Sequence, residues 1–192
     1  MRRHALILAA LLALTGCAPG GSPAAAPAGS PPPTVSENGG FNDTDVMFAQ
    51  MMLAQYAPAA ALLDVARTRA VGEKVKTLTA AIAVTQADER KSIENWLATW
   101  KKPLTPGTDA GIHAGHGGLP ADPAAELRAL REAGAAEFDK VLLNLLIGRQ
   151  HQAVEYARME LSSGTNAAAL ALATRVDQSR TAQISMMLGL VG

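Results

Sequence analysis

The sequence repeats a pattern of apolar residues at an offset of 94 positions. The paired positions are Asp45 and Asp139, Phe48 and Leu142, Met52 and Leu146, Ala59 and Ala153, Ile82 and Val176, and Ile93 and Met187. Each half carries two segments with the three-and-four spacing of an amphipathic helix. The repeat therefore predicts an all-α fold, a four-helix bundle of two helical hairpins around a pseudo-two-fold axis.

Four long segments and one short segment carry the helical signals. Asn42, Asp43 and Thr44 supply N-cap chemistry for the first helix, and Pro58 is expected to kink it. Asp122 and Pro123 begin a short linking helix. The inward stripes of the long helices are Phe48, Met52, Gln55, Ala59, Leu62, Ala66; Val75, Leu78, Ile82, Gln86, Glu89, Ile93, Trp96, Trp100; Phe138, Leu142, Leu145, Leu146, Arg149, Gln150, Ala153, Ala157, Leu161; and Leu172, Val176, Arg180, Gln183, Met187, Leu190.

Composition agrees with helices and argues against nucleic acid as a partner. Aromatic residues make up only 4% of the chain and β-branched runs are absent, which favours helix over sheet. The 17 basic and 17 acidic residues balance, and no run of lysine and arginine occurs. Proteins that bind nucleic acid usually carry such a basic patch.

The N-terminus has the pattern of a secretory signal, assigned to residues 1–16. Arg2 and Arg3 precede an apolar run from Ala5 to Leu14, which is too short to span a bilayer. The following segment, 14–17, resembles the bacterial lipobox, in which the cysteine receives a lipid. Cys17 is the only cysteine, so we expect it to be lipidated and to anchor the protein to a membrane. The alternative is an ordinary signal peptide with a chance cysteine.

Residues 17–40 are predicted to be a disordered tether, and residues 41–192 the folded domain. Between 18 and 40 the chain contains six prolines and five glycines, with Glu37 as the one charge. Such a segment cannot bury enough apolar surface to fold. It would reach about 25 Å as a flexible coil and about 70 Å as extended polyproline.

Residues 42–188 resemble the ferritin-like family called domain of unknown function 305 (DUF305). The matching motif positions are Asp45, Phe48, Met52, Leu53 and Ala59 in the first helix, and Ile82, Gln86, Glu89, Trp96 and Leu97 in the second. The resemblance implies a ferritin-like bundle. It also implies an exported protein, in a family with some members linked to copper handling.

The chain departs from this family where the resemblance implies metal ligands. Gln55 and Tyr56 replace the paired histidines of the first half, and the second half has Arg149 and Gln150. The second-half glutamine and glutamate positions carry Arg180 and Gln183. The neighbouring His151 falls on a polar face with Glu155, so we interpret it as a solvated histidine.

The inward polar residues are predicted to form a buried network in place of a metal. Buried polar groups must be paired or they cost several kcal/mol. We expect the guanidinium groups of Arg149 and Arg180 to supply positive charge around the Glu89 carboxylate. The alternative is that these residues lie at the rim and extend into solvent. The predicted network is Gln55, Tyr56, Gln86, Glu89, Arg149, Gln150, Arg180 and Gln183.

Two weaker metal candidates lie elsewhere. His113 and His116 form a His-x-x-His pair in a glycine-rich loop, a pair that suits zinc or copper. Thioether ligands for copper are also available, although methionine at helical spacing is more often core packing. These methionines are Met47, Met51, Met52, Met186 and Met187.

The leading functional hypothesis is a membrane-anchored, extracytoplasmic binding or interaction module without a cofactor. No nucleophile with a neighbouring base and no phosphate-binding glycine loop is present, so an enzyme is not expected. The alternative is an extracytoplasmic copper or zinc binding protein that uses His113 and His116. A ferritin-like enzyme is the third hypothesis, and Glu89 alone is too few inward carboxylates for it.

Overall fold

The computed structural model describes residues 39–107 and 122–191, which form five helices and no strand. The helices are α1 (Asp43–Arg69), α2 (Glu73–Thr99), α3 (Pro123–Glu132), α4 (Phe138–Ser163) and α5 (Ala167–Val191). Adding 94 to the bounds of α1 and α2 gives 137–163 and 167–193, which match α4 and α5 to within two residues. The predicted all-α bundle of two hairpins with a short linking helix is confirmed.

The two hairpins pack through their first helices. Helix α1 packs against α2 and α4, α4 packs against α5, and the short helix α3 lies against α1 and α4. Apolar side chains gather in two clusters. One includes Phe48, Met52, Ile93 and Val176, and the other includes Leu142. The first cluster lies where α1 begins and the second where α1 ends, which leaves the middle of the bundle between them.

Helix ends follow the predicted capping chemistry. The Asn42 side chain accepts from the backbone N–H of Asp45, whose carboxylate accepts from the N–H of Asn42 in return. Asp122 caps α3, whose first residue is Pro123. Pro58 lies inside α1, and the helix continues past it to Arg69.

Helix α1 is long and apolar enough to cross a bilayer by length and composition. The most apolar part of this helix is mainly buried inside the bundle, however, as is normal for the core helix of a globular protein. Its inward stripe is buried from Phe48 to Ala66. We therefore describe α1 as a core helix.

One predicted inward position is wrong. Leu161 is 41% exposed, whereas the adjacent Glu160 is completely buried. Positions three and four after Ala157 both lie near the inward face of a helix with 3.6 residues per turn. The structure places Glu160 beside Asp45 of α1, and this contact turns Leu161 toward solvent.

Candidate functional site

A layer of polar side chains crosses the middle of the bundle between the two apolar clusters. Each long helix contributes two neighbouring members. We call this set the polar layer: Gln55 and Tyr56 from α1, Gln86 and Glu89 from α2, Arg149 and Gln150 from α4, and Arg180 and Gln183 from α5. Of these, Gln86 and Gln183 are half-buried and the others are buried.

The centre of the polar layer is a triad of Tyr56, Glu89 and Arg180. The Tyr56 hydroxyl donates to Oε2 of Glu89 at 3.0 Å, and Nη2 of Arg180 donates to the same oxygen at 2.5 Å. Arg180 is completely buried. Burial raises the pKa of Glu89, and the positive charge of Arg180 and the Tyr56 hydroxyl limit that rise. Burial, followed by the nearby Glu89 charge, raises the pKa of Tyr56 well above its ordinary value.

The second hairpin has a neutral counterpart of this contact. Nε2 of Gln150 donates to Oε1 of Gln183 at 2.7 Å. These residues are the repeat equivalents of Tyr56 and Glu89, 94 positions away in each case. The same link between the two helices of a hairpin therefore occurs twice, charged in the first hairpin and uncharged in the second.

Arg149 takes a different partner from the one expected. Its Nη2 donates to Glu126 of α3, and no hydrogen bond from it to Glu89 is present. The two arginines thus pair with separate carboxylates and do not share Glu89. The cause is helix α3, which covers this side of the bundle and brings Glu126 over Arg149. Glu126 lies one turn before the buried Leu130 on the inner side of α3, which is the signal that could have revealed it.

The two remaining glutamines face other neighbours. Gln55 is buried beside the hydroxyl of Tyr156, and burial raises the pKa of that tyrosine to about 12. The Oε1 atom of Gln86 is buried, and it has no hydrogen-bond partner among the residues that the structure describes. Gln86 lines a cleft between α1 and α2, together with Tyr56.

Outside the polar layer, two acidic residues, Asp45 and Glu160, lie buried beside each other. They were not predicted as a site. The Asp45 carboxylate accepts from the backbone N–H groups of Thr165 and Asn166 at 3.0 and 2.9 Å, and from the Thr165 hydroxyl at 3.0 Å. Burial, followed by the neighbouring Asp45 carboxylate, raises the pKa of Glu160 to about 9. Burial opposes ionisation of Asp45, but the neighbouring Glu160 side chain and hydrogen bonds from three backbone amides lower its pKa overall.

The polar layer does not suit a metal ion. Arginine carries only hydrogen-bond donors and stays protonated. The guanidinium of Arg180 therefore already occupies the position beside Glu89 that a metal cation would need. Within residues 39–107 and 122–191, no group of three or more His, Cys, Asp or Glu side chains is close enough to hold a metal. Exposed His151 lies on the polar face, as expected.

The other predicted site residues divide between the core and the undescribed segments. Met51, Met52 and Met187 are buried in the apolar clusters, Met47 is packed against the first cluster, and Met186 is half exposed. Packing is therefore the observed role of most methionines. Cys17, His113 and His116, with the predicted signal and most of the tether, lie outside the described residues.

Comparison with known proteins agrees with this fold. A DUF305 protein from Streptomyces coelicolor is 25% identical over 77% of this chain and 89% of its own, with a TM-score of 0.69. A DUF305 fragment from Deinococcus radiodurans is 23% identical over 79% of this chain and 97% of its own, with a TM-score of 0.67. CopM in its Cu(I)-bound form is 23% identical over 76% of this chain and 94% of its own, with a TM-score of 0.63.

No curated protein is detectably similar to this chain. The family model for the domain of unknown function DUF305 matches residues 45–191, from the first capping aspartate to the end of α5. This range contains both hairpins and the whole polar layer. The chain therefore belongs to the DUF305 family.

Proposed function

We propose that this protein is an exported, lipid-anchored binding module, noncatalytic, in which the polar layer stands where related bundles would place a metal. The observation that carries the proposal is the triad at the centre of the layer. Arg180 is completely buried and donates to Glu89, which also accepts from Tyr56. A fixed internal cation leaves this carboxylate paired within the protein and removes it as a metal ligand.

The same geometry argues against chemistry in the layer. A general base needs a free lone pair within reach of a substrate proton. Oε2 of Glu89 already accepts two hydrogen bonds, so only Oε1 keeps free lone pairs, and the side chain is just 9% exposed, which restricts the access of a substrate to it. The polar layer therefore serves to hold the two hairpins together, and a ligand would bind to the surfaces around it.

Export and anchoring rest on the N-terminal sequence. The Streptomyces coelicolor protein is described as a candidate secreted protein, which supports export of this chain. The test is metabolic labelling with a fatty acid in a bacterial host that processes lipoproteins. We expect label on the wild type and none on Cys17→Ser, with the wild type in the membrane fraction. Unlabelled wild-type protein would refute the anchor and leave the proposal for the bundle standing.

Metal titration tests the assignment of the polar layer. Purified protein is titrated with Cu(I), Cu(II) and Zn(II), and bound metal is measured after dialysis. We expect Glu89→Gln to leave metal binding unchanged, because Glu89 is paired with Arg180. Loss of stoichiometric metal in this variant would overturn the proposal.

Copper binding is the second candidate function, and one observation favours it. CopM, which shares this fold, has been solved with Cu(I) and with Cu(II) bound. In this chain the ligands would be His113 and His116, and of the five candidate methionines Met51, Met52 and Met187 are buried in the core, which leaves Met47 and Met186. Stoichiometric copper that is lost in the double variant His113→Ala/His116→Ala would establish this candidate in place of the first.

A further inference from the structure

The outer side of the first hairpin contains a cleft that the polar layer does not explain. It lies between α1 and α2 and has a volume of about 620 Å³. This is within the range of small-molecule sites, roughly 300–1,000 Å³. Its lining includes the buried Leu63 and the small side chains of Ala60, Ala80 and Ala83, of which Ala60 and Ala80 are exposed. Small residues on both helices leave the space open.

One end of the cleft is polar. Gln86 lies there, with its Oε1 enclosed by the protein, and Arg90 and Lys91 follow on the same helix. Because Oε1 is enclosed, the part of the Gln86 amide that can offer donors to a ligand in the cleft is Nε2. The two cations are exposed and make only exposed ion pairs, which contribute little and leave the cations available to a ligand.

The remainder of the cleft is apolar and elongated. From Arg90 to Lys76 the α2 helix rises about 21 Å, at 1.5 Å per residue. Lys76 and Arg67 border the far end, where their aliphatic stems can cover an apolar chain while their charges stay in water. Four cationic and two acidic side chains line the cleft: Arg67, Lys76, Arg90 and Lys91 with Asp64 and Glu94. Lys76 and Lys91 are also paired with Glu73 and Asp88 outside it, so an anionic headgroup would compete with exposed ion pairs.

We propose that this cleft binds a single-chain amphiphile with an anionic headgroup, either a free fatty acid or a lysophospholipid. The headgroup lies against Gln86, Arg90 and Lys91, and the acyl chain runs along Ala83 and Ala80 toward Lys76. The inference rests on the binding role proposed above and not on the lipid anchor. Tyr56 lines the cleft and donates to Glu89, so a bound ligand contacts the edge of the triad.

Equilibrium dialysis of the full chain against labelled hexadecanoate, below its micelle concentration, tests the proposal. The protein carries Cys17→Ser so that no covalent lipid competes for the cleft. We expect saturable binding of one ligand per chain, and binding about tenfold weaker in Gln86→Leu, which removes the amide at the headgroup. Ala83→Trp fills the cleft and should abolish binding.

The matched control is Ala81→Trp, two positions away on the same helix but outside this cleft. Circular dichroism checks that each variant is folded, and Ala87→Trp at the rim replaces Ala83→Trp if the latter does not fold. Lysophosphatidylglycerol is tested in parallel with hexadecanoate. Whichever of the two binds more tightly shows whether the natural ligand is a lysophospholipid or a free fatty acid. Equal binding of hexadecyltrimethylammonium, equal binding by Ala83→Trp, or no saturable binding by folded protein would each overturn the proposal.

The outcomes separate this inference from the proposed function. Absence of lipid on wild-type Cys17 would remove the anchor without changing the dialysis result. Absence of amphiphile binding in a protein that is lipidated at Cys17 would refute only the ligand class assigned to the cleft.

Discussion

Asp45 and Asp139 hold equivalent places in the two hairpins, and each accepts hydrogen bonds from the turn of the other hairpin. Asp45 accepts from the backbone N–H groups of Thr165 and Asn166, before α5. Asp139 accepts from the N–H groups of Val71 and Gly72, before α2, at 3.1 and 2.7 Å. The donors are also related by 94 positions, so the pseudo-two-fold axis relates two reciprocal contacts between the hairpins.

Removing these two aspartates should have unequal effects on stability. Asp45 is completely buried and also accepts from the Asn42 amide and the Thr165 hydroxyl, whereas Asp139 is only half-buried. An unpaired buried donor costs about 1–3 kcal/mol. We expect Asp45→Ala to lower the free energy of unfolding by roughly 3–5 kcal/mol and Asp139→Ala by roughly 1–2 kcal/mol. Urea denaturation of both variants measures the difference, and equal losses would contradict it.

Glu160 should make the protein less stable as the pH rises. Its pKa is about 9 in the native state against an ordinary value of 4.5, because it is buried beside Asp45. Between these two values the native state keeps a proton that the unfolded chain has lost. Within that window, each pH unit then lowers the free energy of unfolding by up to about 1.4 kcal/mol. Urea denaturation between pH 5 and 9 should show this decline, and Glu160→Gln should flatten it.

Glu155→Gln is the control for this pH dependence. Glu155 lies on the same helix, is exposed, and is near Arg158 at 3.6 Å. Replacing it should not change how the free energy of unfolding varies with pH. The lowered pKa of Asp45 acts in the opposite direction, since its contribution to stability is lost only as the pH falls below 3.8. A decline as steep in Glu160→Gln as in the wild type would refute the role of Glu160.

An added side chain at Gly164 should destabilise the protein, because this glycine makes room for the Glu160 carboxyl. A Cβ at Gly164 would collide with Oε1 of Glu160, whereas a Cβ at Gly148 would meet nothing within 4 Å. We expect Gly164→Ala to destabilise by roughly 1–3 kcal/mol. Gly148→Ala in the interior of α4 should stabilise by about 0.5–1 kcal/mol. Thermal unfolding compares the two, and the added change Glu160→Ala should relieve the clash at Gly164.

The repeat, the stripes and the caps could be read from the sequence because they are local. Helical periodicity depends on neighbours three and four positions away, and the capping box of Asn42 and Asp45 lies within one turn. The fold follows when two such halves must bury the same kind of stripe. By contrast, the contact of Asp45 with Thr165 joins residues 120 positions apart, and no local pattern encodes it.

The polar layer was predictable as a set of residues but not as a set of pairs. Seven of the eight members fall on inward stripes and Tyr56 lies beside one, yet the partner of Arg149 depends on where α3 lies across the bundle. The short helix is tied down by Glu126 and by Arg69, neither of which belongs to an inward stripe of a long helix. Glu160 was missed because a charged residue is expected outside, and only its neighbour Asp45 and the room at Gly164 explain its burial.

Arg69 should hold α3 against the bundle. Its guanidinium donates to the backbone carbonyls of Leu130, Arg131 and Ala133, and it stacks 4.5 Å from the centre of the Phe138 ring. Lysine keeps the charge but cannot reproduce this planar fork. Arg69→Lys should therefore speed amide hydrogen exchange in residues 123–132 with little change in α2. Arg67→Lys, at an exposed position two residues earlier, is the control and should leave the exchange of α3 as it is.

Arg180 and Glu89 should depend strongly on each other for stability, because both charges are buried. Removing one partner leaves a buried charge unpaired, so Arg180→Met alone should cost roughly 3–5 kcal/mol. The double variant Glu89→Gln/Arg180→Met keeps an acceptor for the Tyr56 hydroxyl and removes both charges. We expect it to recover most of the loss, since a buried ion pair stabilises little relative to a well-packed neutral pair.

A double-mutant cycle over these variants, measured by urea denaturation, yields the coupling energy of the pair. The control cycle uses Arg90 and Glu94, whose side chains are 55% and 38% exposed and should couple by less than about 1 kcal/mol. Additive losses at Arg180 and Glu89 would mean that neither charge depends on the other. Arg180 and Glu89 would then not be a fixed internal ion pair, and the proposal that this pair replaces a metal in the polar layer would fail.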